Sequence, residues 1–291
     1  MTNTPNPLRE YFRSPKLYVK LPTGGKFYTK DIVEYPENGE LPVFPMTAKD
    51  EVMMKNPDAL LNGEAISHLI TSCVPNIKQP REMITNDIDV LLVAIQGATN
   101  GDDMEVSANC PKCNEAITGT ASVEGAIETM DELKETYSVP TEQGLEIEIK
   151  PFKYSNTIKA GLASFQTTRS LQTMTEMEDD MDRLKVFNQN FRIMADMNYE
   201  LIIDAVHKIT IGKGADAVEI TDRDHIREFL DNCEAKVGTA VDEAIGKVNQ
   251  IGINKNMQFE CEKCDETFEA PIGFDPVNFF TASLEEPNLK K

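Results

Sequence analysis

Two short motifs, Cys110-Pro-Lys-Cys113 and Cys261-Glu-Lys-Cys264, constrain this chain more than any other feature. Each sits between stretches of strand character, residues 104–108 and 116–120 around the first and 257–260 and 267–270 around the second. A tight turn between paired strands aims both thiolates of a CxxC at one point and leaves backbone amides free to bond the sulfurs. Two such knuckles supply the donor set of a tetrahedral zinc ion at about 2.3 Å. The obstacle is separation: residues 114–260 lie between the motifs, where an ordinary ribbon has about 15–20. An insertion with neighbouring ends costs little, because loop-closure entropy grows only logarithmically.

The spacing therefore predicts a split zinc ribbon, residues 104–121 and 256–274, interrupted by an insert of domain size. Cys110, Cys113, Cys261 and Cys264 are its expected ligands, with one structural Zn²⁺ per chain. Four thiolates leave no position for an activated water, so such a metal is structural. Three other readings compete. The motifs can be reduced surface turns; four thiolates also suit iron; and CxxC serves redox chemistry at a helix N-terminus, where the dipole lowers the thiol pKa. Flanking strands speak against the last. Lys112 and Lys263, inside the turns, are expected to offset part of the centre's negative charge or simply to be solvated.

Six cysteines in 291 residues are too few for a disulfide scaffold. The remaining two, Cys73 and Cys233, fall on apolar helical stripes and are expected to be buried. With 29 Lys+Arg against 49 Asp+Glu the formal charge is −20, which repels duplex nucleic acid and anionic membrane unless a basic patch is segregated, and none stands out. The N-terminus has no apolar stretch of signal-peptide type. The longest apolar run, residues 90–95, falls far short of the roughly 18 needed to span a bilayer. A soluble, unexported chain is expected.

Residues 1–15 carry three prolines and read as an extended arm. Leu17, Val19 and Leu21 alternate as in a half-buried strand, Pro22-Thr-Gly-Gly25 has turn chemistry, and residues 41–44 predict another short strand. Thr47 and Asp50 form a capping box for a helix from Ala48. Further helices are expected over residues 63–74, with Ile66, Leu69, Ile70 and Cys73 on one face, and from near Asp87, with Val90, Leu91, Ala94 and Ile95. Prolines 57, 75 and 80 separate these segments.

In the second half, residues 145–149 alternate as a strand. Helical periods then run from about Tyr154 to Ile209, through Ile158, Leu162 and Phe165 and again through Leu184, Phe187, Phe191 and Met194. Residues 218–220 suggest a strand or extended loop, Asp222 caps a helix carrying Ile226, Phe229 and Leu230, and residues 235–251 form one more helix. The methionines at 174, 177 and 181 are expected as core filling, with an adaptable contact surface as the alternative, and the acidic run 176–182 as a solvated helix junction, with docking to a basic partner surface as the alternative.

No nucleophile elbow, phosphate-binding loop or HExxH occurs, and His68, His207 and His225 are scattered. No catalytic residue is predicted.

Taken in order, Leu21-Pro-Thr-Gly-Gly-Lys-Phe-Tyr28, Val43-Phe-Pro-Met-Thr-Ala-Lys-Asp-Glu51, the helix over 63–74, Asp87-Ile-Asp-Val-Leu-Leu92 and the first CxxC resemble the baseplate proteins of T4-like contractile-tailed phages, in particular the hub and hub-assembly family. The resemblance covers residues 16–120 and returns at 257–270; the middle has no counterpart in it. It implies a structural or assembly role in the baseplate hub, other baseplate and tail proteins as partners, a place in the virion tail after assembly in the host cytoplasm, and no catalytic residue. Two alternatives stand beside it, a non-virion assembly chaperone and a zinc-ribbon nucleic-acid-binding regulator. The second is disfavoured because residues 104–120 hold one Lys against two Glu, and residues 257–270 one Lys against four Glu and one Asp.

The fold class expected is α+β. The parts are an extended arm (1–15), a β-plus-helical domain (16–103), the split ribbon, a mainly helical insert (122–255) and a C-terminal tail (275–291). The arm and, within the tail, Phe279 to Lys291 are candidate partner-binding strands, with frayed ends the equal alternative. Nucleic acid, membrane and small-molecule substrate are not expected as partners.

Overall fold

The computed structural model describes residues 6–174, 179–212 and 214–271. Residues 1–5 of the arm, residues 176–178 of the acidic run with Met177, and the tail lie outside them.

Strands β1 (Leu17–Val19) and β2 (Leu41–Val43) pair antiparallel, Leu17 opposite Val43. Helix α1 (Ala48–Met54) opens with the reciprocal Thr47–Asp50 capping box. Pro57, expected only to interrupt, stands at the first position of a short helix, α2 (Pro57–Leu61), where its missing N–H is no loss; Asn56 caps it. Helix α3 (Glu64–Cys73) buries Ile66, Leu69, Ile70 and Cys73. Helix α4 (Thr85–Asn100) starts two residues before Asp87 and is buried on nearly every side from Asn86 to Gln96, as befits its continuous apolar run. These elements share one core.

The arm is not wholly extended. Pro7–Tyr11 forms a 3₁₀ turn, and Arg13 is held at the carbonyls of Pro45 (2.6 Å) and Ser72 (2.7 Å).

After α4 the chain forms a hairpin of β3 (Asp103–Asn109) and β4 (Ala116–Ser122), then a short unexpected helix α5 (Val123–Glu128). The insert begins here, and it contains an antiparallel sheet as well as helices. Strands β5 (Tyr137–Pro140) and β6 (Leu145–Ile149) meet through a turn with Gly144 at φ +79°. In β6, Ile147 and Ile149 are fully buried, as their alternation predicts.

Two long helices follow, α6 (Tyr154–Met174) and α7 (Asp180–Ala205), the latter capped by Asp179. Helix ends at Ala205, not Ile209: β7 (Val206–Ile211) begins at the next residue and pairs with β6, while β8 (Val218–Ile220) pairs with β7. The segment Val-His-Lys-Ile-Thr-Ile is rich in β-branched residues, and a free edge of β6 was available to it. Helices α8 (Arg223–Asn232), capped by Asp222, and α9 (Ala235–Asn249) contribute Ile226, Val241 and Ile245 to a second core shared with the sheet. The final hairpin is β9 (Asn256–Glu260) with β10 (Thr267–Pro271).

Several side chains sit elsewhere than the helical periods suggest. Cys233 is half-buried at the end of α8, not on its stripe, and packs at the edge of the second core. Leu184, Phe187 and Phe191 of α7 point to solvent, 53%, 51% and 70% exposed, as do Met181 and Phe165. The face of α7 that is covered carries Asn190 instead. This hairpin turns several of its large apolar side chains outside, while Ile158 and Ile203 at its base pack inward.

The insert leaves and rejoins at one place. Asp131 N–H donates to the Gly252 carbonyl (3.0 Å) and Leu133 N–H to that of Pro22 (2.8 Å). Asn86, at the start of α4, donates to the carbonyls of Val248 (3.2 Å) and Ile251 (2.6 Å). Lys255 pairs with Asp89 one turn along. The first turn of α4 thus ties the returning end of the insert to the N-terminal core, and the outgoing end is held through Gly252 and Pro22.

That same turn holds the Pro22-Thr-Gly-Gly25 loop. Asp87, fully buried, accepts from Thr23 N–H (3.1 Å), the Thr23 hydroxyl (2.6 Å) and the Tyr28 hydroxyl (2.5 Å), and Tyr28 in turn accepts from Ile84 N–H (2.9 Å). Gly25 is required twice over: its φ is +79°, and a Cβ would lie 2.5 Å from the Tyr35 ring.

Candidate metal centre

Both knuckles are built the same way. The β3–β4 hairpin ends in the Asn109–Ala116 pair and the β9–β10 hairpin in Glu260–Thr267, and each is closed by a CxxC turn. Cys110 N–H donates to the Glu115 carbonyl (2.8 Å) and Cys261 N–H to the Glu266 carbonyl (2.9 Å). Asn114 N–H and Asp265 N–H return to the carbonyls of Cys110 (2.9 Å) and Cys261 (2.8 Å). The chain reverses by placing Asn114 at φ +58° and Asp265 at φ +53°. Asn and Asp tolerate that left-handed region better than other non-glycine residues.

The hairpins pack on one another and on the N-terminal core. Phe259 is buried, its ring 5.8 Å from that of Phe268 and nearly parallel to it. Gly119 of β4 lies against Phe259, where an added Cβ would meet the ring at 3.4 Å.

This packing brings the four predicted cysteines together across the insert. Their sulfurs all lie within 4.8 Å of one another, with Cys110–Cys264 and Cys113–Cys261 each at 3.6 Å. All are free thiols, and 3.6 Å is far beyond a disulfide bond of about 2.05 Å. It is close to the edge of about 3.8 Å that a tetrahedron with metal–sulfur bonds of about 2.3 Å requires. Cys110 and Cys261 are buried, and Cys113 and Cys264 half-buried. Soft sulfur donors at this spacing, with no fifth ligand among the described residues, fit one tetrahedral metal ion.

Electrostatics agree with that fit. Desolvation opposes the Cys110 thiolate, yet the amides of Cys113 and Lys112 and the neighbouring thiols outweigh it and hold its pKa down at about 7. Desolvation, together with the thiols of Cys261, Cys113 and Cys110, pushes Cys264 up to about 12. Crowded thiols share their protons unequally; all of them ionise together only when a cation sits among them.

The lysines do more than face solvent. Lys112 Nζ pairs with Glu266 (3.0 Å) and Lys263 Nζ with Glu115 (2.5 Å), each reaching across to the other knuckle. Glu115, Glu266, Asn114 and Asp265 were not singled out from the sequence. The signal was there, for both motifs read Cys-x-Lys-Cys-(Asn/Asp)-Glu.

The other candidates lie apart from this centre. Cys73 is buried in the N-terminal core, and burial pushes its thiol up to about 12. His207 and His225 are on the surface of the insert. His68 Nε2 approaches Asp50 (3.3 Å), to which the Ser72 hydroxyl also donates (3.0 Å). Serine, histidine and aspartate meet here in the wrong order for a nucleophilic relay, since the carboxylate, not the imidazole, stands in the middle.

No helix among the described residues is long and apolar enough to cross a membrane. No curated protein and no solved structure matches the chain. A family model described as T4 bacteriophage base plate protein matches residues 15–281, spanning the insert that had no counterpart in the motif resemblance as well as the two flanking regions. The chain therefore belongs to the T4 bacteriophage base plate protein family.

Proposed function

We propose that this chain is a non-catalytic structural or assembly component of the hub region of a contractile-tailed phage baseplate, held by one structural zinc ion on Cys110, Cys113, Cys261 and Cys264. The observation that carries the reading is the convergence of these sulfurs to within 4.8 Å in a chain of the baseplate family. Zinc, with no redox chemistry and a tolerance for any tetrahedral sulfur cage, is the ion such a closed site holds. The metal clamps the ribbon across the insert, so the insert and the N-terminal domain present a fixed geometry to neighbouring proteins. Assembly in the host cytoplasm, where thiols stay reduced, and residence in the virion tail follow from this reading.

The partners are other baseplate and tail proteins. Lys112 and Lys263, the lysines of the two knuckles, are each paired with a glutamate, which speaks against a phosphate grip by the ribbon. The exposed face of α7 supports a protein partner: Met181, Leu184, Phe187 and Phe191 recur at helical spacing, and apolar side chains of this size gather in the open where another protein covers them. The double substitution F187D/F191D is expected to leave the melting temperature nearly unchanged, because these rings contribute little to the fold. It should abolish incorporation into particles. Normal incorporation would remove α7 from the docking surface.

Mass spectrometry of purified particles tests the reading itself. The chain is expected in the baseplate at fixed stoichiometry; its presence in infected-cell extract alone would make it an assembly chaperone.

A further inference from the structure

The crossed lysine–glutamate pairs stand apart from every other surface ion pair described in this chain, because they repeat. In each knuckle the glutamate two residues beyond the second cysteine serves twice. Its carbonyl accepts from the first cysteine of its own knuckle, 2.8 Å for Glu115 and 2.9 Å for Glu266. Its carboxylate reaches the lysine inside the opposite CxxC. The left-handed turn at Asn114 or Asp265 makes both possible, by reversing the chain between cysteine and glutamate. Each lysine stands between the two cysteines of its own motif, which keeps its positive charge near the sulfur centre.

We propose that Lys112–Glu266 and Lys263–Glu115 form a reciprocal clasp that sets the two knuckles in register and neutralises the thiolate centre, so that the affinity for metal depends on them.

The inference rests on the zinc reading above. An ordinary ribbon brings its knuckles together through a short connection. Here the connection is the whole insert, and nothing local in the sequence tells one knuckle where the other lies. Two ion pairs related by exchange of the knuckles fix both the distance and the rotation between them, which a single pair cannot do. Once the ion is bound, four thiolates leave the centre negative, and two ammonium groups beside the sulfurs oppose that charge without competing as ligands. Partners of this kind outside the ligand set commonly change metal affinity by about 10–100-fold.

The test measures zinc affinity of the full chain by competition with a colorimetric chelator, and records cobalt(II) absorption as a signature of tetrahedral sulfur ligation. Lys112→Ala and Lys263→Ala are each expected to weaken zinc binding about tenfold, and the double variant about a hundredfold, with the cobalt spectrum of a four-sulfur site retained. Lys263→Glu, which sets two glutamates face to face, should weaken it further. Adding Glu115→Lys restores at least tenfold relative to Lys263→Glu alone, because the pair is re-formed with its sign reversed. Lysine variants that bind zinc as tightly as the parent, or a reversed pair no better than Lys263→Glu, would overturn the clasp. Failure of the parent chain to take up zinc is a separate result, and it would overturn the zinc reading itself.

Discussion

Cys113→Ser and Cys261→Ser are each expected to take the zinc content from about one per chain to none. A hydroxyl does not ionise near neutral pH and is a poor ligand for zinc, so three sulfurs remain where a closed tetrahedral site needs four. The ligands come in pairs from opposite ends of the insert, so either substitution disables both knuckles together. Apparent zinc-binding free energies in small structural sites are on the order of 10 kcal/mol near neutral pH, and in such sites binding energy is folding energy. The hairpins are short and each has only two strands, below the size at which a sheet is stable in water without further packing. Loss of metal is therefore expected to release amide-exchange protection in residues 103–122 and 256–271, while the helices of the N-terminal core stay protected. Chelation of the parent protein should reproduce the pattern, and renewed zinc should reverse it. Elemental analysis with hydrogen exchange reads both effects. Retention of half the metal by either variant would show two independent motifs and dissolve the split ribbon.

Legibility followed the range over which each signal acts. The capping box at Thr47, the alternation of β6 and the ribbon cysteines are local patterns backed by strong stereochemistry or coordination chemistry, and all three were readable from a few residues. Strand β7 was not, because Val206–Ile211 follows α7 with no proline or glycine between them and takes its conformation from pairing with β6, far back in the chain. The orientation of α7 was misleading for a different reason. Periodicity reports an apolar face but not what covers it, and Phe187 and Phe191 turn theirs away from this chain. The clasp is an intermediate case. Its repeated Cys-x-Lys-Cys-(Asn/Asp)-Glu was visible, but only the crossed distances give the repeat a meaning.

Asp87 lay inside one of the motifs of the resemblance without any sign of its role, since burial of a carboxylate is a property of the assembled fold. Asp87→Ala is expected to destabilise the protein by about 3–5 kcal/mol, because it strands the Thr23 amide and the Thr23 and Tyr28 hydroxyls in a dry site. The pH dependence runs against the usual direction for a carboxylate. Desolvation raises the Asp87 pKa from 3.8 to about 6, against the opposing hydrogen bonds from Thr23 and Tyr28. The folded state therefore holds this proton more tightly than the unfolded chain. The favourable contribution is complete below pH ~4 and is lost as pH rises through ~6, a difference of about 3 kcal/mol. Asp87→Asn removes the titration while keeping the shape. Its NH₂ group mismatches the Thr23 and Tyr28 hydroxyls at every pH, but it bears no ionisation cost. Urea unfolding of parent and variant across pH 4.5–8 separates this residue from thiolate protonation, which affects both proteins equally. The variant's deficit should be largest at the acid end and shrink by about 2 kcal/mol by pH 8. A deficit independent of pH would mean that Asp87 is ionised throughout the range, with its hydrogen bonds outweighing its burial.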